Sequence, residues 1–379
     1  MIRMTPLLAL MACAAPETDA LFNRLELSTP VTAADANEIF VETVEAASDE
    51  VRIALPTLTD MTLATSLIDA HMAGVEVLVT MDIDQADDEG VIALQDAGVP
   101  VQLGDAGLTY FEFSLNDDVT WPSEDIRMSH AFVVADQTEV VMANQAGDLT
   151  DAPRVVVSGH SEDLGQDLNM EHVQLFGGAD ATAVTAFDSM AKSIADFRWN
   201  YSTQFADQFE LWLGPQERVG KRLIDGVYSA RSGDIRLMSD DVADESIVAA
   251  LEAKAADGFD VEVLVGPGFG TINPALSNRL ENAAGVRVLQ TTSTAPLPTI
   301  LFLDYERGPD GRYHMPRAMV ATHEILSAAR LFNDTEVVTD QLVDGALYMI
   351  AVPDAPSPWL QQLASVYLDA VAAGVTEVN

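Results

Sequence analysis

EIFVETVEAASDEVRIALPTLTDMTLATSLIDAHMAGVEVLVTMD runs from residue 38 to 82, and RLIDGVYSARSGDIRLMSDDVADESIVAALEAKAADGFDVEVLV from 222 to 265. The two stretches share one plan. An amphipathic helix comes first, with Ile39, Val41 and Val44 in one and Leu223, Ile224 and Val227 in the other. A strand follows, VRIAL at 51–55 and DIRLM at 234–238. A polar turn then leads into a second helix, carrying Leu63, Leu67 and Ile68 or Ile247, Val248 and Leu251. That helix ends near Gly74 or Gly258, residues suited to a left-handed C-cap. The unit closes on VEVLV, at 75–79 and again at 261–265, and each half places another helix and strand near Val99 or Val286. Alternating helices and apolar strands predict an α/β sheet covered by helices. A repeat of roughly 180 residues is too long for a solenoid and fits a duplicated domain.

Charge narrows the function classes. The 379 residues include 60 Asp+Glu against 19 Lys+Arg, a formal net of -41, and only Lys192, Lys221 and Lys254 are lysines. Such a surface repels nucleic acid, whose binding needs cations to displace counterions from phosphate. It disfavours anionic lipid headgroups in the same way. The single cysteine, Cys13, excludes an intrachain disulfide and any zinc site that needs two cysteines.

Cys13 has another use. The chain opens MIRMTPLLALMACAAPETDA, one basic residue before a short apolar run and then small and polar residues. The run is well short of the ~20 residues that span a bilayer and reads as a secretory signal. Leu10-Met11-Ala12-Cys13 resembles the bacterial lipobox, which implies cleavage before Cys13 and its lipidation. The alternative is a plain signal peptide with an incidental cysteine. Several acyl chains, at ~0.8 kcal/mol per buried CH₂, hold a protein stably where one does not. Ala14 after the cysteine implies the outer membrane of a Gram-negative envelope. The expected organisation is a lipoprotein signal peptide at 1–12, a tether at 13–35, a first lobe at 36–210 and a second at 211–379.

The repeat plan from residue 36 to 375 resembles the phospholipase D superfamily, a duplicated, bilobal α/β fold, each lobe with a mixed, mostly parallel sheet flanked by helices. In that family each lobe offers H-x-K-x4-D, then G-S-x-N, then a downstream Asn/Glu pair. Two histidines meet in one cleft, one attacking phosphorus and one protonating the leaving group, while lysines and asparagines bind phosphate oxygens. The matching segment of the first half is SHAFVVAD, 129–136. Anchored on Asp136, it places Ser129 at the histidine position and Ala131 at the lysine position. VMAN at 141–144 supplies Asn144, and NME at 169–171 supplies Glu171; the stretch from Phe187 to Trp199 loosely resembles the aromatic-rich ending of the family. In the second half, LPTILFLD at 297–304, anchored on Asp304, places Leu297 and Thr299 at the two positions. Glu324 takes the asparagine position, and NDTE at 333–336 supplies Glu336. Both aspartates and both downstream glutamates are kept, and both histidines and both lysines are gone.

His130 sits one place along. Strand alternation turns it from the face shared by Ser129 and Ala131, and so away from the cleft. A one-residue slip would put His130 at the nucleophile position and Phe132 at the lysine position. Ser129 as nucleophile needs an adjacent base, and the sequence offers none.

Other motifs carry less. DIDQADDEG at 82–90 has Asp87 and Ala93 where an EF-hand has Gly and Glu, so it reads as a solvated loop. SDDVADE at 239–245 reads as a helix N-terminus. GPGFG at 266–270 lacks the spacing of a phosphate cradle. His71, His160, His172, His314 and His323 show no ligand spacing, and His172 beside Glu171 would face away from it on a strand.

The sequence therefore leads to a lipid-anchored, non-catalytic relative of phospholipase D, a binding or assembly module at the cell envelope. It would be held to the membrane through Cys13 and engage a protein or small-molecule ligand, with no cofactor, metal or nucleic acid expected. The alternative is a hydrolase with residual phosphodiesterase activity in the cleft between lobes. A third reading is an unrelated duplicated α/β protein, in which strands 129–136 and 297–304 would not meet.

Overall fold

A computed structural model describes residues 23–103, 127–128, 130–150, 153–177, 201–202, 208–213, 219–231, 233–305, 316–321, 343–344, 346–351 and 358–378. In the first lobe, strand β1 (Asn23–Val31) leads to α1 (Ala33–Ala46), β2 (Glu50–Leu55), α2 (Met61–Ala73), β3 (Glu76–Met81), α3 (Glu89–Asp96) and β4 (Val101–Leu103). After β5 (Arg127–Met128) come β6 (Phe132–Ala135), β7 (Glu139–Ala143), β8 (Arg154–Ser161) and α4 (Glu162–Gly177). The second lobe has β9 (Tyr201–Ser202), β10 (Gln208–Leu213), α5 (Val219–Ser229), β11 (Asp234–Ser239), α6 (Glu245–Ala256), β12 (Asp260–Val265), α7 (Pro274–Glu281) and β13 (Val286–Thr291). It continues through β14 (Thr299–Leu303), β15 (Arg317–Ala321), β16 (Val343–Asp344), β17 (Ala346–Ala351), α8 (Pro358–Ala373) and β18 (Val375–Glu377).

The duplication is complete at the level of topology. Sheet order is β1-β8-β7-β6-β2-β3-β4 in one lobe and β18-β13-β12-β11-β14-β15-β17-β10-β9 in the other. Read from the parallel end, β4-β3-β2-β6-β7-β8-β1 matches β13-β12-β11-β14-β15-β17-β10 strand for strand and direction for direction. Both sheets are mixed, as expected, but parallel pairing is confined to β2, β3 and β4 and to β11, β12 and β13. The expectation of mostly parallel sheets is corrected accordingly. Parallel neighbours need a crossover helix, and α2, α3, α6 and α7 supply it; the remaining neighbours pair antiparallel.

Local chemistry sets the helix ends. Asp60 caps α2 by accepting from the Thr62 N–H at 2.8 Å, and Asp244 caps α6 by accepting from Ser246 and Ile247. Gly74 ends α2 at φ +96, where a side chain would strain. The acidic loop at 82–90 is less solvated than its composition implies. Asp82 is buried and accepts from the N–H groups of Asp84 and Met128, and Asp88 accepts from the Thr57 hydroxyl and the Leu58 N–H.

Two lobe boundaries also move. Residues 23–31, assigned by sequence to the tether, form β1, which pairs along β8 and buries Leu25 and Leu27. The alternation NRLELS is short and ends at Pro30, so it reads as linker until β8 is there to pair with it. Likewise β9 and β10, at 201–213, belong to the second sheet, so the boundary between 210 and 211 cuts a strand.

Three clusters of buried side chains organise the interior. One lies between the first sheet and α1–α3, and one between the second sheet and α5–α7. The third draws from both sheets at once. It joins Leu25, Phe132, Val134, Met142 and Val157 to Met238, Leu264, Leu297, Ile300 and Phe302, with Leu164 and Leu168 of α4 and Trp359, Leu360, Leu363 and Tyr367 of α8. The two motif strands thus meet in one apolar core. Helix α8 also lies against β1, so the last helix of the chain bolts the lobes together. Trp359, 1% exposed, is the largest side chain in that contact. Trp359→Ala should lower the unfolding free energy by about 3–5 kcal/mol, read from urea denaturation. A loss under about 1 kcal/mol would mean that α8 does not hold the lobes.

Candidate functional site

The site positions are read outward from the two motif aspartates. Each ends its strand with a left-handed backbone, Asp136 at φ +48 and Asp304 at φ +57. Asp136 reaches back to the loop before β2, accepting from the N–H groups of Ser48 at 2.9 Å, Asp49 at 2.8 Å and Glu50 at 3.0 Å, and from the Ser48 hydroxyl. Desolvation pushes its carboxyl up, but the donors from Asp49, Ser48 and Glu50 outweigh it and hold the group below the usual carboxylate range. Asp304, fully buried, does the same before β11, accepting from the Arg231 N–H at 2.7 Å and from Arg317 Nη2 at 3.1 Å. Both aspartates are loop clamps. Asn144 is likewise engaged by the backbone: its Oδ1 accepts from the Val155 N–H at 2.8 Å across β7 and β8.

The facing of the motif strand is the reverse of the sequence expectation. Phe132 and Val134 lie in the core shared by the lobes, whereas Ala131, Val133 and Ala135 pack under α1–α3. His130, on the side of Phe132, is fully buried beside it, ring centroids 6.0 Å apart in an edge contact. Its Nε2 lies 3.4 Å from Oε1 of Glu171 on α4. Alternation shows which residues share a face; it does not show which face a second lobe will cover. The inner face therefore presents His130, Phe132 and Val134 from one lobe and Leu297, Ile300 and Phe302 from the other. Thr299 points the other way, its Oγ1 3.0 Å from the Ser239 hydroxyl. Ser129, Glu324, Glu336, Cys13, His314, His323 and the stretch from Phe187 to Trp199 lie outside the described residues.

Glu171 and His172 occupy a helix, not a strand, so adjacency does not set them on opposite faces. Both are buried. His172 Nε2 lies 3.4 Å from the Thr80 hydroxyl. Burial first and the nearby Arg52 charge second push His172 down to about 3, against hydrogen bonds with the backbone of Ile53 and Leu78. Sequence reasoning missed this partner, and its signal was present. Arg52 and Arg236 hold the same place in β2 and β11, each under an inner helix; Arg236 lies 5.9 Å over the ring of Tyr367, whose hydroxyl donates to Glu262.

Away from this face, a cavity of about 440 Å³ opens between the end of β1, the start of α1 and residues 149–153, lined by Pro30, Val31, Leu149 and Pro153 among others. Arg154, next in sequence to the lining Pro153 and 1% exposed, donates to Asp148 at 2.5 Å, to Gln145 Oε1 at 2.7 Å and to the lining Thr150 Oγ1 at 2.7 Å. Among the described residues no three metal-ligating side chains converge.

No family model and no curated protein matches the sequence. Solved structures match over nearly the whole chain. Phosphatidylserine synthase from Haemophilus influenzae Rd KW20 aligns at TM-score 0.56 and 10% identity, covering 93% of this chain and 87% of that one. The chain shares the fold of this synthase. Polyphosphate kinase from Porphyromonas gingivalis aligns at TM-score 0.54 and 12% identity over 96% of this chain. The chain spans about half the length of that kinase, 53%. The phospholipase D family member Nuc from Salmonella typhimurium matches 40% of this chain and 92% of its own, at TM-score 0.30 and 13% identity.

The buried groups predict the acid limb of stability. A His172 that is neutral in the native state to about pH 3, but protonates near the ordinary histidine value of 6.5 when unfolded, costs stability progressively as pH falls between those values. Asp136 adds its own loss only below the ordinary aspartate value of 3.8. Urea unfolding from pH 7 to 4 should show a decline that His172→Gln flattens by as much as about 1.4 kcal/mol per pH unit. Parallel profiles for the two proteins would contradict the assignment.

Proposed function

We propose that this chain is a membrane-anchored, catalytically degenerate phospholipase D-like lipoprotein, a binding or assembly module of the cell envelope. The observation that carries the reading is the apolar inner face of the second lobe. The positions that carry an imidazole and a cation in the phospholipase D family are Leu297 and Thr299 here, and the inner face presents Leu297, Ile300 and Phe302, all buried in the shared core. Phosphoryl transfer by this route needs a nucleophile, an acid and cations on the phosphoryl oxygens. Loss of a single donor to the developing charge typically costs ~2.7–4 kcal/mol of barrier. The aspartates that remain are accounted for as clamps on the loops before β2 and β11. Anchoring rests on the lipobox-like string ending at Cys13. Among the described residues no helix is long and apolar enough to cross a membrane.

A second reading, a hydrolase with altered phosphodiesterase activity, is favoured by one observation. His130 lies on the inner face with Glu171 3.4 Å from Nε2, the arrangement of an imidazole oriented by a carboxylate. The next inner position along the strand is Phe132 where the family has a lysine.

Purified protein should show no turnover of a bis-aryl phosphate or of phosphatidylcholine above a buffer blank, and cells should incorporate labelled palmitate into the wild type but not into Cys13→Ser. Turnover that disappears with His130→Ala or Ser129→Ala would establish the second reading. Equal labelling of both forms would remove the anchor.

A further inference from the structure

The pocket of about 440 Å³ at the N-terminal end of α1 has a mostly apolar wall. Pro30 and Val31 come from the end of β1, Ala33 and Ala34 from α1, and Leu149 and Pro153 from the β7–β8 connection. Leu149 is 58% exposed, yet the connection that carries it is held firmly. Asp148 receives the buried Arg154 guanidinium at 2.5 Å. Its carbonyl accepts from Asn37 Nδ2 of α1 at 2.8 Å, and the Gly147 N–H donates to Asn37 Oδ1 at 3.0 Å. The Gly147 carbonyl accepts in turn from the N–H groups of Thr59 and Asp60. Gly147 stands at φ +87, and a Cβ there would lie 1.9 Å from the Thr57 carbonyl oxygen, so no other residue fits. A leucine exposed on a rigid loop loses little freedom when a partner covers it.

The charge beside the pocket is of one sign. From residue 25 to 51 there is no Lys, Arg or His. Glu38, Glu42 and Glu45 are exposed on α1. On a helix all three project within about 80° of Ala34, the exposed helix residue at the pocket wall. The nearest arginines in sequence, Arg24 and Arg52, pair with Glu26 and Glu50 instead. Helix stability does not explain the row. Like charges three and four residues apart repel, and Glu45 stands in the last turn, where the helix dipole disfavours a carboxylate. Nor does the overall acidity of the chain explain it. The equivalent helix of the second lobe, α5, carries Lys221 and Arg222 with Asp225, and the exposed face of α2 has Thr62 and Thr65 with Asp69.

We propose that the pocket and the α1 row bind a cationic segment of a partner protein. An apolar side chain of that segment seats against Leu149, and its Lys or Arg side chains lie along Glu38, Glu42 and Glu45. The pocket supplies the anchor, and the row selects the sign of charge. From Ala34 to Glu45 the helix rises about 16 Å, a distance that about five residues of extended chain cover. A second copy of this chain is a poor occupant, since both copies carry a formal net charge of -41. The surface uses neither Cys13 nor the inner face, so it stands apart from anchoring and from phosphodiester chemistry.

The test is fluorescence anisotropy of the full chain with the dye-labelled peptide GLGKKGKK. Binding is expected at about 0.1 M salt and should weaken as salt rises. Replacing the peptide leucine by glycine should weaken it by at least about tenfold, and replacing the lysines by glutamate should abolish it. In the protein, Glu38→Lys with Glu45→Lys should weaken it by more than about tenfold, and Leu149→Asp should remove the preference for leucine over glycine. Asp69→Lys with Asp369→Lys, the same change of charge at exposed positions of α2 and α8, should leave it within about twofold. No binding, equal binding of the leucine and glycine peptides, equal loss from both pairs of charge reversals, or undiminished binding of a leucine peptide whose lysines are replaced by serine would each overturn the proposal. So would self-association of the wild type in sedimentation velocity that Leu149→Asp abolishes, because the surface would then belong to a second copy.

Discussion

Burial of apolar surface between the two sheets is the constraint on which this molecule depends. The motif strands β6 and β14 enter one core through Phe132, Val134, Ile300 and Phe302, and α4 and α8 close it from either side. Each such side chain contributes about 1.5–3 kcal/mol when removed from water. A cleft that must hold a phosphate cannot be packed in this way, because water and cations would have to enter it. Along the described part of the interface the lobes share one apolar core.

The two lobes diverge around a shared frame. Both aspartates keep their backbone clamps, both first strands keep an inward arginine, and both inner helices keep a polar residue near it. What differs is the partner set. In the first lobe Arg52 shares its surroundings with His172 and Thr80, and in the second Arg236 meets Tyr367, which donates to Glu262. The connections after the two aspartates differ in length, 136–138 in one lobe and 304–316 in the other. The contacts that bear the fold are kept in both lobes.

Much of the fold was legible because its signals are local. The repeated VEVLV marks β3 and β12, Asp60 and Asp244 mark helix starts, and Gly74 a helix end. What the sequence hid is relational. β1 has no strong pattern until β8 lies beside it, and the antiparallel half of each sheet carries no crossover signal. At the site, alternation correctly grouped His130 apart from Ala131. The group that faces the second lobe is set by packing across the interface, which no spacing within SHAFVVAD reports. His172 and Glu171 were misread because a strand was assumed where a helix packs.

If the shared core is what makes this molecule, the lobes cannot melt apart. Differential scanning calorimetry of the full chain measures this directly. A single endotherm is expected, with a van't Hoff to calorimetric enthalpy ratio near about 1, because α8 and both sheets lose the same core together. Two resolved transitions, one for each lobe, would contradict the account and restore two halves meeting across an open cleft.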